Sequence, residues 1–363
     1  MKINVGIIGL GEVAQLVHLP ILSDLNDKYR IKAVADISPS LNEFIVNKYN
    51  ISNSYLSPSG IIKDPEIDAV FVLSPDQHHF EFVQESIKSG KHVFVEKPAT
   101  LNIQQLKELV HLEQGFPNQI TMVGYMRRYA GSFLRAKELI RVSTKKTEYL
   151  RFRDIICEGP FFVNQTRPIF SPADIPSDLI EASKKKRNQQ LDSALGPETT
   201  AAHMTAYQML TGLGCHSFSA VRELFGSPIR VKAAAASHQG VLLIIVLEYD
   251  GFLATYELVN NQEIVQFDAT IEIYQKDRRL KINYESPYVR HQASTLELSV
   301  YAEGNAQTTI YGPDYKDPFV NEICEFYDCI ASSRKPKTSL QDSLEDLELF
   351  QKIIETLKKS ESV

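Results

Sequence analysis

Asn4-Val5-Gly6-Ile7-Ile8-Gly9-Leu10-Gly11-Glu12-Val13-Ala14 decides the reading of this chain. An apolar run with β propensity meets two glycines and then a helix-forming stretch. This is Gly-x-Gly-x-x-Ala directly after a strand and at a helix start. Glycine at Gly9 permits the tight turn, Gly11 lets a pyrophosphate approach the backbone, and Ala14 lets helix and sheet pack closely. The unpaired N–H groups of the helix N-terminus, from Glu12 and Val13 onward, are then available to phosphates. A glycine pattern alone is a weak signal. Here the second expected strand, Ile31–Ala35, ends in Asp36, 25 positions beyond Gly11. An acidic side chain there accepts hydrogen bonds from adenosine ribose hydroxyls and repels a 2′-phosphate. Ile37-Ser38-Pro39-Ser40 has no cation to hold that phosphate, so the cofactor expected is NAD, with NADP less favoured.

Outward from this turn, strands are expected at Asn4–Ile8, Ile31–Ala35, Ala69–Leu73, His92–Val95 and Ile120–Val123. Helices are expected between them at Val13–Asp24, Leu41–Tyr49, Phe80–Ser89 and Ile103–Leu112. The strands are continuous apolar runs, as in a parallel sheet covered on both faces, and the alternation is that of a doubly wound Rossmann domain over residues 1–125. Gly90 fits a helix C′ position and Asn102 an N-cap.

Residues 126–363 read differently, as an α+β domain with a large, mainly antiparallel open sheet whose last helices are able to pack back on the first domain. Helices are expected at Gly131–Ile140, Thr199–Leu210, Ser217–Leu224, Pro318–Ala331 and Leu340–Lys358. Strands are expected at Tyr149–Ile156, Ile229–Ala236, Leu242–Tyr249, Phe252–Leu258, Glu263–Tyr274, Arg279–Ile282 and Leu296–Tyr301, with Asp250-Gly251 a hairpin turn. Residues 158–198 read as irregular and Pro-rich with a basic helix near Leu179–Gln190, the pattern of a functional loop.

Composition narrows the function. The 363 residues are 43% hydrophobic and carry a net charge of −6, which disfavours nucleic acid. The basic run Lys184-Lys185-Lys186-Arg187 reads as a solvated helix face. Cys157, Cys215, Cys324 and Cys329 have no metal-ligand spacing and read as reduced thiols. The run from Val241 to Leu247 is far too short to span a membrane, and no metal site is expected. A cytoplasmic protein without a membrane or nucleic-acid partner is the expectation.

Two further stretches, Ser74-Pro75-Asp76-Gln77-His78-His79 and Gly90-Lys91-His92-Val93-Phe94-Val95-Glu96-Lys97-Pro98, resemble the Gfo/Idh/MocA oxidoreductases, a family that includes glucose–fructose oxidoreductase and inositol dehydrogenase. Gly124-Tyr125-Met126-Arg127-Arg128-Tyr129 resembles the segment leading into that family's second domain, and its phrasing with Gly-Leu-Gly-Glu-Val-Ala resembles fungal members most. The resemblance implies hydride transfer between NAD(P) and a sugar, cyclitol or related polyol. It also implies a homodimer or homotetramer built on the open sheet.

The resemblance makes Lys97 the catalytic lysine and brings Ser74, Pro75, His79 and Glu96 to the cofactor. Independently, a lysine at the carboxyl end of a sheet strand lies beside the crevice where a dinucleotide binds, placed to exchange a proton with a substrate hydroxyl. Glu96 is read as orienting Lys97 or contacting cofactor or backbone, and Pro98 as a fixed turn. His216 falls in Gly212-Leu213-Gly214-Cys215-His216-Ser217-Phe218-Ser219, where the family often has Asp-x-Gly-x-His-x-x-Asp. Both carboxylate positions are lost, to Gly212 and Ser219. His216 is therefore open to two readings, a proton-shuttling substrate ligand or a buried histidine at a helix start. Tyr125, Arg127 and Arg153 are candidate substrate ligands, although paired Arg127-Arg128 are more often structural. His203 is balanced between the two kinds of role. Two alternatives to a dehydrogenase follow: a nucleotide-binding sensor that has lost catalysis, and a closed-cycle enzyme with a non-dissociating cofactor.

Overall fold

The computed structural model describes residues 1–157, 159–166, 168–261, 266–290 and 292–361. They divide into two compact units. The first comprises Met1–Gly124, Arg167–Ala194 and Glu322–Leu344, and the second Tyr125–Thr166, Leu195–Asn321 and Glu345–Val363. The expected boundary at 125/126 lies next to the first division at Gly124/Tyr125, but two later segments join the first unit.

In the first unit, strands β1 (Ile3–Ile8), β2 (Tyr29–Ala35), β3 (Asn53–Tyr55), β4 (Ala69–Val72), β5 (His92–Glu96) and β6 (Thr121–Gly124) form one sheet in the order β3-β2-β1-β4-β5-β6. Each pairing is parallel. The order reverses beside β1, which makes the carboxyl ends of β1 and β4 the topological switch point. The helices are α1 (Leu19–Asp24), α2 (Pro39–Tyr49), α3 (Ser59–Ile62), α4 (His79–Lys88) and α5 (Ile103–Gln114). Ahead of α1, Ala14–His18 form a π-helical turn. Asn102 caps α5 by accepting from the Gln104 N–H at 2.7 Å, and Gly90 takes φ +74 after α4, as the sequence predicts. The motif residues Lys91 and His92 serve the fold. Lys91 Nζ donates to the carbonyls of Asp64 and Ile67, while His92 Nδ1 accepts the Ile120 N–H.

The second unit holds an eight-stranded sheet in the order β14-β13-β12-β11-β7-β10-β9-β8. Its strands are β7 (Thr147–Ile156), β8 (Arg230–Ser237), β9 (Leu242–Tyr249), β10 (Phe252–Asn260), β11 (Phe267–Gln275), β12 (Arg278–Tyr284), β13 (Ser294–Ala302) and β14 (Asn305–Asp314). Among the described residues of this sheet, only β7 and β10 pair in parallel. Residues 263–265 of the strand expected from Glu263 lie outside the described residues. Helices α6 (Gly131–Arg141), α7 (Gly159–Thr166), α8 (Ser177–Leu195), α9 (Ala201–Met209), α10 (Cys215–Phe225), α11 (Pro318–Ser332) and α12 (Leu340–Glu361) complete the chain. One sheet face is packed. Phe152 and Tyr256 meet Phe218 of α10, whose ring also touches Phe350 of α12.

Three expectations are corrected. Within the stretch read as irregular, α7 is an additional helix and α8 extends beyond the expected Leu179–Gln190; Pro160 sits in the first turn of α7, where its missing N–H costs nothing. The basic run is only partly solvated: Lys186 and Arg187 turn toward Glu81 and Asp76. His216 is not at a free helix start, because α9, a π-helical stretch Leu210–Gly214 and α10 run on without a break. Among the described residues no helix is long and apolar enough to cross a membrane, and no cluster of three or more His, Cys, Asp or Glu could hold a metal.

Candidate active site

The first unit gathers its candidate residues at the carboxyl ends of β1, β2, β4 and β5. Gly9 follows β1 with φ +89, and a Cβ on it would lie 2.6 Å from the Ser74 nitrogen. Glycine is therefore required twice over, by conformation and by the close approach of the β4 loop. Gly11 faces open space, where a side chain would meet nothing within 4 Å. Glu12 and Val13 open the helix, and Ala14 is buried where it joins the π-helical turn. Such turns often mark functional positions. Partial burial raises the Glu12 carboxyl above its ordinary value.

Asp36 follows β2. Its Oδ2 accepts the Leu10 N–H at 2.9 Å and its Oδ1 the Ser38 N–H at 3.0 Å. Each oxygen keeps a second lone pair, so two ribose hydroxyls can still be accepted. After β4 come Ser74 and the exposed Pro75. The Ser74 Oγ is buried without a protein partner beside the Gly9 turn. An orphaned hydroxyl, an open Gly11 and a free-sided carboxylate together fit a dinucleotide laid across the switch point.

Glu96 ends β5 and leads into Lys97 and a cis Lys97–Pro98 bond. Burial opposes ionisation of Glu96, but the hydrogen bond and charge of His18, with the charge and N–H of Lys97, outweigh it and hold the carboxyl below its usual range. His18 Nε2 lies 2.7 Å from Glu96 Oε1, and the Lys97 N–H donates to Oε2 at 3.2 Å. On the other side, the buried His79 ring bridges the carbonyls of Ser74 and Pro98 at 2.7 and 2.8 Å. Glu96 and His79 thus fix the backbone on both sides of Lys97. Both His79 ring nitrogens are engaged by backbone carbonyls, and the ring is buried.

Sequence reasoning missed His18. It marked residues 158–198 as a functional loop but not how residues 168–194 of it attach to this unit as a strap. The Phe170 N–H donates to Gln15 Oε1 and Gln15 Nε2 returns a bond to the Phe170 carbonyl. The Phe170 ring stacks on Phe44 with centroids 4.8 Å apart. Farther along, Ser183 Oγ accepts from Gln77 Nε2, and Gln190 Nε2 donates to the Gln77 carbonyl. Burial, and then the charge of Lys186, lower the affinity of His78 for a proton. The strap is therefore anchored to the elements that follow β1, β2 and β4. No motif announced this anchoring.

The remaining candidates lie in the second unit. Tyr125 is buried. Arg127 is buried too, with Nη1 2.6 Å from Asp154 and 2.7 Å from Ser217 Oγ and its guanidinium over the Tyr284 ring. Asp154 also accepts from the Tyr256 hydroxyl. Arg128 pairs with Glu223. Arg153 pairs with Asp268 on the sheet face opposite Phe152 and Asp154. His203 completes a capping box with Thr200 and lies 3.0 Å from Glu361. His216 is half-buried directly after the π-helical stretch, and Ser219 Oγ donates to its carbonyl.

Residues 3–125 match the model of the Gfo/Idh/MocA oxidoreductase family, NAD-binding Rossmann fold. Myo-inositol 2-dehydrogenase of Thermotoga maritima is 30% identical over 141 residues, which are 39% of this chain and 41% of that protein. The match thus spans about two-fifths of the relative's length. An uncharacterized oxidoreductase of Bacillus subtilis, YrbE, is 28% identical over 351 residues, 95% of this chain and 91% of that protein. Among solved structures, a 3-ketoreductase from Actinomadura kijaniata, in complex with TDP-benzene and NADP, is alike in fold. Its TM-score is 0.72 at 16% identity, over 99% of this chain and 98% of that one.

Proposed function

We propose, from the match of residues 3–125 to the Gfo/Idh/MocA oxidoreductase model and from the site described above, that the protein is an NAD-dependent dehydrogenase of a sugar, cyclitol or related polyol. One observation carries the reading. Lys97 stands at the carboxyl end of β5, its backbone held by Glu96 and by His79 through Pro98, on the same sheet edge as the Gly9 turn and Asp36. A proton-transfer group and a dinucleotide cradle share one crevice edge.

In this reading Gly9 and Gly11 admit the pyrophosphate, the helix N-terminus at Glu12 and Val13 donates to it, and Asp36 accepts the adenosine ribose hydroxyls. Ser74 Oγ and Pro75 border the cofactor. When bound, the nicotinamide supplies hydride exchange with a carbinol carbon of the substrate. Lys97 Nζ takes the hydroxyl proton in oxidation and returns it in reduction. His18 and Glu96 keep Lys97 in place. His216, in the second unit, is a candidate proton-bearing group, whereas Arg127 acts by shaping that unit through Asp154. The open sheet face makes a homo-oligomer.

The test is nucleotide titration followed by a panel of cyclitols and sugars. Tight NADH binding with turnover, and a Lys97→Ala variant that binds NADH within about threefold but loses about 10²–10⁴ in kcat, is the expected result. A second reading, a nucleotide-binding sensor, draws on the replacement of both carboxylates near His216 by Gly212 and Ser219. It predicts NADH binding with no turnover of any panel member.

A further inference from the structure

The strap brings a charge to the head of α2 that the cofactor site alone does not need. Ser38 caps this 11-residue helix by accepting the Leu41 N–H at 3.0 Å. Asp174, from the irregular part of the strap, accepts from Ser38 Oγ at 2.5 Å through Oδ1 and from the Ser40 N–H at 2.8 Å through Oδ2. The Ser38 hydroxyl and the Ser40 N–H hold the Asp174 carboxyl below its ordinary range, so it is ionised at neutral pH. Ser38 lies two residues beyond Asp36, whose Oδ1 it also engages.

The first turn of a helix carries partial positive charge and free N–H groups, which is where a phosphate ester is drawn. A 2′-phosphate on a ribose seated at Asp36 would approach this turn. There it would find the Ser40 donor taken, a carboxylate already in place, and no Arg or Lys among residues 37–40. We infer that Asp174 is a cofactor-specificity residue: reaching in from the strap, it fills the anion-binding turn at the head of α2 and excludes the 2′-phosphate of NADP. The inference rests on the nicotinamide-site reading above. It adds to Asp36 a second negative charge, and it assigns that charge to a segment distant in sequence from the glycine turn.

The strap is tied down independently of Asp174. Its Phe170 end is held by Gln15 and Phe44, and α8 by Gln77, Asp76 and Glu81. Replacing Asp174 therefore removes a charge without releasing the segment. Asp174→Asn removes the charge and leaves an amide oxygen able to accept the Ser40 N–H.

The experiment is fluorescence titration of NADH and NADPH against the full-length wild type, Asp174→Asn and Asp174→Ala. Wild type is expected to prefer NADH. Both variants should gain about tenfold in NADPH affinity, with NADH affinity held within about threefold. The gain should shrink as salt is raised, because the repulsion is exposed and screened. An unchanged NADPH-to-NADH ratio in both variants overturns the inference, as does a parallel loss of both nucleotides or a wild type that prefers NADPH. Wild type binding neither nucleotide overturns the cofactor reading itself, a result distinct from the other three.

Discussion

At the scale of single residues, the sequence carried the cofactor turn because glycine chemistry is local. Gly9 needs φ +89 and has no room for a Cβ against Ser74, and both demands are visible in Gly-x-Gly-x-x-Ala after a strand. Gly9→Ala is expected to cost about 1–3 kcal/mol of stability and to weaken NADH binding, read by thermal melts with and without nucleotide. What surrounds Lys97 was less legible, since His18 reaches Glu96 from 78 positions away and nothing in its apolar stretch marks it. Glu96 has a depressed folded-state value, so its stabilisation is present above the unfolded value near 4.3 and is lost as pH falls through the folded one. Glu96→Gln should therefore lower stability by about 1–3 kcal/mol at pH 7. The gap from wild type should close at more acidic pH, in chemical unfolding measured across a pH series. A constant gap at every pH would assign Glu96 a packing role instead.

At the scale of elements, apolar strands with strong β propensity were readable and polar ones were not. β3 and β14 were absent from the sequence reading because Asn-Ser-Tyr is short and Asn-Ala-Gln-Thr-Thr is polar and exposed. Their neighbours, not their composition, make them strands. α7 was likewise absent, whereas α8 was read as Leu179–Gln190, short of its Ser177–Leu195 bounds; few of its residues are apolar, and of these only Leu191 is buried. The pair Arg127-Arg128 shows the reverse case, where a motif draws attention to a function but its contacts are structural. Burial opposes the Arg127 charge, yet Asp154 outweighs it and holds the guanidinium charged. Arg127→Met leaves Asp154 fully buried with its tyrosine partner alone, and about 3–5 kcal/mol of stability should be lost in urea unfolding. Replacing both, as Arg127→Met with Asp154→Leu, should recover part of that loss.

At the scale of the whole molecule, the eight-stranded sheet has one packed face and one that bears Ile244 at 50% exposure and Leu253 at 43%, beside Arg151–Glu257 and Arg153–Asp268 pairs. Burial alternates along β7, β9 and β10, although β9 is a continuous apolar run in sequence. The last helices were expected to pack back on the first domain, and Glu322–Leu344 belong to the first unit; the return of residues 168–194 was not readable, because long-range packing leaves no local period. A homo-oligomer through the open face predicts a sedimentation mass of at least twice the 41.0 kDa of one chain, and Ile244→Glu should reduce the wild-type mass. An unchanged mass in the variant would place association elsewhere. The central claim, Lys97-assisted hydride transfer from a carbinol carbon, is tested most directly by isotope transfer. The full-length protein is incubated with NAD and a panel of cyclitols and sugars deuterated at the carbinol carbons, and the reduced nucleotide is weighed by mass spectrometry. The account predicts deuterium in NADH for at least one panel member, abolished in Lys97→Ala that still binds nucleotide; NADH binding with no label transferred from any of them would contradict it.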